Sequence, residues 1–497
     1  MKRSFCTAVG LAGMVVALAC GGGCGDGQGG QRKAGGGASS GASGGGAAAA
    51  QPPAGEWLRG DLHVHTHYSH DADRFGDTVE ASIRLAEHAG LDFVVLGDHR
   101  VVDVLADPQL TATPTHLVVI PGMEWGGAGH AGAHNLSHQP PYVSQSGAAD
   151  PLRAIQDTIA SVHAQGGFFV LNHPMDPKNP WLWPAHGYDG IEIWNQLWAM
   201  RRVAEITVAD MQDWARRHGN LPLPPEALLA AGARGGGSNH QALKRWEALL
   251  EQGHKLAAVG GGDRHYAVLP GEPVTLVFAR ERTRAAIAEG VRQGRTMVAR
   301  AVNAARVEFA ADADGDGVFE SIIGDRVPLG RSIQFRVRVV DGEGGMFALI
   351  RNGQELVRQP ITAPDETFTF GDTPAVRSWY RVDVWEPLEL SDSKARMLRS
   401  LVLGTAGQNG LLSGGLASLL SSWFGSWLQD LQDIVASGVP AAVWLLIHGQ
   451  DLGVQVAPVP SRYPVIQWPE RVSRILNTDP LAPEYCRAVI TSPIWAE

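Results

Sequence analysis

Between Glu56 and Arg300 one pattern recurs, and it narrows the fold more than anything else in the chain. A helix-like amphipathic stretch ends at glycine, a short apolar run follows, and the run ends in polar residues. "VEASIRLAEHAG" leads into "LDFVVLGDH", "LRAIQDTIASVHAQGG" into "FFVLNHP", and "ALKRWEALLEQG" into "KLAAVGGGDRH". Apolar runs without alternation are strands buried on both faces, and the amphipathic helices between them supply the cover. This predicts an α/β fold of parallel strands, and a span of this size suits a barrel better than an open sheet. No dinucleotide-binding glycine fingerprint follows the first strand.

The polar residues that end the runs are of one chemical kind. "GDLHVHTHYSHDA", residues 60–72, holds four histidines and two aspartates. In a strand His63 and His65 share a face, because the side-chain period is two, and two imidazoles on one face can grip one metal ion. His99 ends "LGDH", Glu124 lies in "GMEWGG", His173 in "LNHP", and Asp263 and His265 in "GGDRH". The C-terminal tips of strands are where barrel enzymes build their sites. Imidazole and carboxylate together suit zinc, iron or manganese. Asp61 and Asp98 are candidates to orient imidazoles from behind, or plain capping residues. Arg100 and Arg264 are candidates to hold an anionic substrate, or ordinary ion-pair partners. His88, His163, His218 and His254 fall in helix-like segments and read as solvated or packed, while His67 and His138 stand near the ligand set. Trp181, Trp183, Trp194 and Trp198 read either as a pocket mouth or as core.

Taken in order, "DLHVHTHYS", "GLDFVVLGDH", "GMEWGG" with a following histidine, "LNHP", "GIEIWN" and "GGDRH" resemble the PHP (polymerase and histidinol phosphatase) superfamily. "IEIWN" and "GEPVTLVFA" with "AIAEGVRQGRT" are similar to its carbaryl-hydrolase-like (CehA/McbA) branch. The resemblance covers residues 57–300 and continues weakly to "TSPIWAE". It implies a distorted (β/α)7 barrel holding two or three divalent metal ions (zinc, manganese or iron), with phosphoester hydrolysis the usual activity. Carried over residue by residue, it places His63, His65, His99, His173, Asp263 and His265 in the metal set, with Glu124 bridging two ions. The family's "YSDG" stands here as "YSHDA", so the next carboxylate is Asp71, with His70 or Asp73 as substitutes. The histidine after the glutamate is His130 or His134, and His134 is favoured because histidine, any residue, then leucine fits the common pattern. Glu124, His134 and His265 are the expected catalytic residues. A water bridging two ions would ionise near neutrality and attack phosphorus or a carbonyl carbon, with the metals taking up oxyanion charge. The substrate expected is a small ester, most simply an anionic one. The alternatives are carbamate or carboxylic ester hydrolysis on the same barrel, or a non-catalytic metal-containing surface binding lipoprotein.

The flanks read differently. Residues 1–19 have Lys2 and Arg3 and then a short apolar run, which predicts a signal peptide. Cys20 in "ALAC" is the expected lipidated residue, with Cys24 the weaker candidate, and residues 20–55 are a flexible Gly/Ser/Ala linker. The protein is therefore expected to be exported and held at a bacterial membrane through the lipid. A net charge of −10 and no basic patch argue against nucleic acid as a partner. Of the four cysteines, Cys6 lies in the signal peptide and Cys20 is the expected lipid site, so only Cys24 and Cys486 remain, and two make no disulfide framework. After the barrel (56–300), residues 301–389 alternate in the β manner and predict a small β-sandwich. Residues 390–484 predict an apolar helical insertion, and 485–497 the sandwich's final strand. The insertion carries only two aspartates and no lysine or arginine from Gly404 to Gly449, so an anionic lipid surface would not attract it. "DADGDG" sets Asp312, Asp314 and Asp316 at alternating places, like the start of a calcium loop. The twelfth position of such a loop is Ile323, so Glu320 is the nearest substitute, and a polar β-turn is the leading reading.

Overall fold

The computed structural model describes residues 53–72, 76–142, 148–196, 206–232, 237–265, 269–388 and 485–497, with separate positions between 455 and 479. The signal peptide, Cys20, Cys24, the linker up to residue 52, Asp73, Trp198 and nearly all of the 390–484 insertion lie outside the described residues.

The first strands are β1 (Glu56–Val64), β2 (Phe93–His99), β3 (Val118–Gly127), β4 (Gly129–His134), β5 (Phe168–Asn172), β6 (Gly190–Asn195) and β7 (Ala257–Gly261). They are hydrogen-bonded in that order. β2, β5, β6 and β7 are buried along their whole length, as uninterrupted apolar runs require. The helices are α1 (Val79–His88), α2 (Gln109–Ala112), α3 (Pro151–Ala164), α4 (Val208–Arg217), α5 (Pro225–Gly232), α6 (Gly237–Glu251) and α7 (Arg284–Arg292). Their starts follow capping chemistry: the Thr78 and Thr283 hydroxyls accept from Ala81 and Ala286 N–H, and Asp150 accepts from Arg153 N–H.

The strands are not uniformly parallel. β1–β2–β3 and β5–β6–β7 pair in parallel, but β4 runs antiparallel to both neighbours. β3 and β4 form a tight hairpin with Gly127 opposite Gly129, leaving no room for a crossover helix. At the far end the sheet curls back on itself. His65 N–H donates to Arg264 C=O (2.8 Å) and Arg264 N–H to His63 C=O (3.1 Å), so the segment after β7 bonds to the tip of β1. The three glycines Gly260–Gly262 permit this approach, because a Cβ at Gly261 would come within 2.5 Å of His63 Cβ. The other half of that β1 edge is taken by β8 (Val274–Ala279), antiparallel, followed by β9 (Thr296–Ala299).

A second body of strands follows. β10 (Arg306–Asp312), β11 (Ser321–Ile322), β13 (Ile333–Val340) and β16 (Asp365–Asp372) form one sheet in the order β11–β10–β13–β16. β12 (Arg326–Val327), β14 (Met346–Arg351), β15 (Gln354–Pro360) and β17 (Ser378–Pro387) join β20 (Tyr485–Thr491) and β21 (Ile494–Ala496). The short pair β18 (Gln455–Val456) and β19 (Ile466–Gln467) stands apart. β20 pairs with β17 on one edge and with β9 on the other, so these strands continue the curled sheet of β1–β9. Phe309, Phe335, Val337, Phe347, Leu349, Tyr380 and Val384 share one apolar cluster with Val94 and Leu96 of β2. Trp181, Trp183 and Trp194 are buried in another cluster together with Trp246 and Trp379, which supports core packing for them. Cys486 is buried and free. Among the described residues no helix is long and apolar enough to cross a membrane.

Candidate metal centre

The site is built at the tips of β1–β7, around Glu124. Its Oε1 lies 3.1 Å from His63 Nε2, 3.1 Å from His173 Nε2 and 3.3 Å from His130 Nδ1. Its Oε2 lies 3.0 Å from His99 Nδ1 and 3.4 Å from His65 Nε2. Asp263 Oδ1 is 3.4 Å from His63 Nε2, 3.5 Å from His65 Nε2 and 3.5 Å from His265 Nδ1. Asp71 Oδ2 is 3.1 Å from both His99 Nε2 and His265 Nε2. The His65 and His265 rings stack at 3.9 Å.

Local structure explains the convergence. His63 and His65 face the same way along β1. His99 and Glu124 are register partners across β2 and β3, and His130 faces Gly126 across the hairpin. His173 and Asp263 sit at strand ends with φ of +25° and +50°, sharp turns that aim their side chains at the centre.

Hydrogen bonds alone do not account for this arrangement. A carboxylate has about four lone-pair sites, yet five imidazoles touch Glu124. Glu124 Oε2, His65 Nε2 and His130 Nδ1 are buried without a hydrogen-bond partner among the described residues. Ligand atoms around a tetrahedral ion bonded at ~2.1 Å lie ~3.4 Å apart, which is the spacing seen here. Four groups have ligand atoms close enough to hold an ion: His65–Asp71–His99–His265, His63–His173–Asp263, His63–His65–Glu124, and His99–Glu124–His130. The residues therefore fit divalent metals.

The electrostatics of the metal-free centre agree. Burial opposes charge on Glu124, yet His99, His130 and His63 hold its carboxyl well below the ordinary range. Burial likewise opposes charge on Asp263, and His63 leads the groups that hold it low. Burial also disfavours charged imidazole, but Glu124 and Asp71 push His99 up to about 10, and Glu124 and Asp263 push His173 up to about 9. His65 is depressed to about 3 by burial and by His265.

Of the two histidines left open by the sequence, the structure brings in His130 and sets His134 apart. β4 runs back down β3, so His134 faces Gly122 while His130 faces Gly126 nearer the tip. Four residues of strand separate them by about 13 Å. His134 packs against Phe168 (ring centroids 5.0 Å) in a slot left by Gly122 and Gly132, with neither nitrogen partnered among the described residues and its pKa pushed by burial to about 3. His134→Leu is therefore expected to keep the wild-type metal content and to change stability by no more than about 1.5 kcal/mol. Elemental analysis and a denaturant melt check this, and loss of metal would return His134 to the centre. His70 is exposed, with its ring 5.1 Å from that of His99, whereas Asp71 reaches two imidazoles.

Asp61 and Asp98 grip backbone rather than imidazole. Asp61 accepts from His63, Gly262 and Gly271 N–H, and burial raises its pKa to about 6. Asp98 accepts from Thr66 N–H (2.6 Å) and the Thr66 hydroxyl (2.8 Å). Both fix the β1 tip through the main chain. The imidazole-orienting role falls to Glu192, which sequence reasoning passed over. Its Oε1 lies 3.1 Å from His63 Nδ1, and its Oε2 accepts from His173 N–H (2.6 Å) and Asn195 Nδ2 (3.1 Å). The signal was present in "GIEIWN", where one charge interrupts an otherwise buried strand. Glu192→Gln is expected to weaken metal binding about 10- to 100-fold. Competition with a chromogenic chelator measures this, and unchanged affinity would refute the role.

The other positions are plainer. Arg264 is buried and paired with Asp77 (2.6 Å), so it is a structural cation. His163 pairs with Asp189, His218 stacks on Trp214, and His138 is exposed beside Ser137. In the 312–320 turn, Asp312 accepts from Gly315 and Gly317 N–H, Asp316 from Val318 N–H and Glu320 from Ala313 N–H, the polar β-turn expected, although the four carboxylates also converge.

No family model matches the chain, and neither does any curated protein. Three solved structures are similar to it. A two-domain protein containing a predicted PHP-like metal-dependent phosphoesterase, from Bacteroides vulgatus, shares 16% identity over 67% of this chain and 93% of its own, with a TM-score of 0.34. PsfC from Pseudomonas syringae shares 16% over 48% and 90%, with a TM-score of 0.29. A candidate metal-dependent phosphoesterase from Bifidobacterium adolescentis shares 17% over 43% and 89%, with a TM-score of 0.24.

Proposed function

We propose that the chain is a metal-dependent phosphoesterase of the PHP type, in its carbaryl-hydrolase-like branch, with its reaction centre at the tips of β1–β7. The observation that carries the reading is Glu124, one buried carboxylate ringed by five imidazoles. His63, His173 and Asp263 would hold one ion. His65, Asp71, His99 and His265 would hold another, with Glu124 between the two and His130 completing its far side. Divalent ions bound there would supply Lewis acidity and a water acidified toward neutrality.

The chain's own residues do the rest. Glu192 fixes His63 and the His173 backbone, and Asn172 Nδ2 donates to Glu124 Oε1 (3.0 Å). These contacts hold the ligands in place before substrate arrives, so little reorganisation is needed during reaction. Burial of Glu124, His63 and His65 keeps bulk water away from the floor of the site. The His265–Asp71 pair lies at the rim, where the Asp71 side chain is 41% exposed. At this open edge the leaving oxygen can take its proton from solvent water, while the pair would hold its ion beside it. The same reading makes the protein an exported lipoprotein acting on a small ester, supported by the charged start and short apolar run ahead of Cys20.

The test joins metal content to turnover. Metals per chain are counted by elemental analysis, and 4-nitrophenyl phosphates are assayed beside 4-nitrophenyl esters and aryl carbamates. At least two metals with phosphate turnover supports the proposal. Turnover of only the carbonyl substrates makes the protein a carbamate or carboxylic ester hydrolase. Metal without turnover of any ester points to the binding lipoprotein.

A further inference from the structure

We propose that Arg100 receives the anionic group of the substrate, the phosphate of a phosphate monoester, a step that rests on the phosphoesterase reading above. Arg100 directly follows His99 at the tip of β2 and has a φ of +63°. An arginine seldom adopts this left-handed backbone, which persists where surrounding contacts enforce it. Those contacts are present. Arg100 N–H donates to Glu124 C=O (2.9 Å), and its own C=O accepts from Gln139 Nε2 (3.2 Å). Its Nε donates to Gly126 C=O (2.8 Å), which also accepts the Tyr142 hydroxyl (2.9 Å).

The stem of the side chain is thus tied to the β3 segment that carries Glu124, while its end is left over. Arg100 is exposed, and among the described residues neither Nη1 nor Nη2 has an acceptor and no carboxylate pairs with it. Its main chain adjoins the ligand-type His99, whose Nδ1 lies 3.0 Å from Glu124 Oε2. Arg264, the other arginine near the centre, is buried against Asp77.

Charge balance shows why such a group is needed. Asp71, Glu124, Asp263 and Glu192 bring four negative charges into the centre, enough to match two divalent ions. Little net attraction then remains for a phosphate dianion. A guanidinium at the rim restores it and offers paired N–H donors that match phosphate geometry.

The experiment measures inorganic phosphate binding by titration calorimetry on the metal-loaded chain, and kcat/KM for 4-nitrophenyl phosphate and 4-nitrophenyl acetate. The variants are Arg100→Ala, Arg100→Lys and Arg100→Gly, the last chosen because glycine accepts the left-handed backbone. With metal content unchanged, Arg100→Ala and Arg100→Gly are expected to weaken phosphate binding about 10- to 100-fold. The phosphate-to-acetate ratio of kcat/KM should fall by a similar factor, and Arg100→Lys should recover part of it. Phosphate affinity within about twofold of wild type in metal-replete Arg100→Gly would overturn the proposal. A wild-type chain that binds phosphate through Arg100 but turns over no phosphate ester would uphold the anion site and overturn the phosphoesterase reading.

Discussion

Glu124→Gln empties the centre of at least one metal and lowers phosphate-ester turnover about 10²- to 10³-fold or more; this is the largest single-residue effect expected. Glutamine keeps the shape but exchanges a charged oxygen for an amide N–H₂. That group then faces imidazoles at 3.0–3.4 Å that need an anion or a shared cation. An amide nitrogen is a donor only, so it cannot ligate a metal. Elemental analysis and kcat measured at saturating manganese or zinc give the answer together. Wild-type metal content with wild-type turnover would remove Glu124 from the centre and with it the basis of the proposed function.

The second large effect is the coupling of metal, pH and stability. In the metal-free chain burial opposes charge on His63, His99 and His173, but neighbouring carboxylates raise all three above the ordinary 6.5, His99 to about 10 and His173 to about 9. A histidine raised in this way stabilises the metal-free fold fully below pH 6.5, and that contribution is lost as pH rises through 9 to 10. A metal must displace these protons, so its affinity should climb about tenfold per pH unit for each proton released, up to that range. The gain in melting temperature on adding zinc or manganese is therefore larger at pH 8 than at pH 6. At a free metal concentration of about 100 times Kd the gain corresponds to about 2.7 kcal/mol for one site. Melts with and without a chelator at the two pH values measure it. A metal gain independent of pH would mean that the bound ions do not contact these imidazoles.

Much of the centre was legible because strand chemistry is local. An apolar run ending in histidine or aspartate carries its own direction, and the two-residue period puts His63 and His65 on one face with no knowledge of the rest of the chain. The run-and-helix rhythm likewise located β2, β5, β6 and β7 and the helices α1, α3 and α6. The extended, alternating strands after Arg300 were readable for the same reason: β13 buries every other residue.

What stayed hidden depends on pairings between distant segments. His130 and His134 lie on the same face of β4, and only the antiparallel hairpin with β3, set by a turn too short for a crossover, decides which of them reaches Glu124. Arg264 looked available beside Asp263 until the return of its segment to β1 enclosed it against Asp77. Glu192 became an imidazole-orienting group because β6 lies beside β5, which leads into His173, and the curl of the sheet brings in His63 of β1, facts of sheet order rather than of the "GIEIWN" stretch. The sequence by itself determined which side chains could ligate a metal and which strand tips carried them, because those properties are set within a few residues. Only the tertiary structure decided which tips meet, which carboxylate backs which imidazole, and which arginine is left exposed, because the curl of the sheet brings together residues about 200 positions apart.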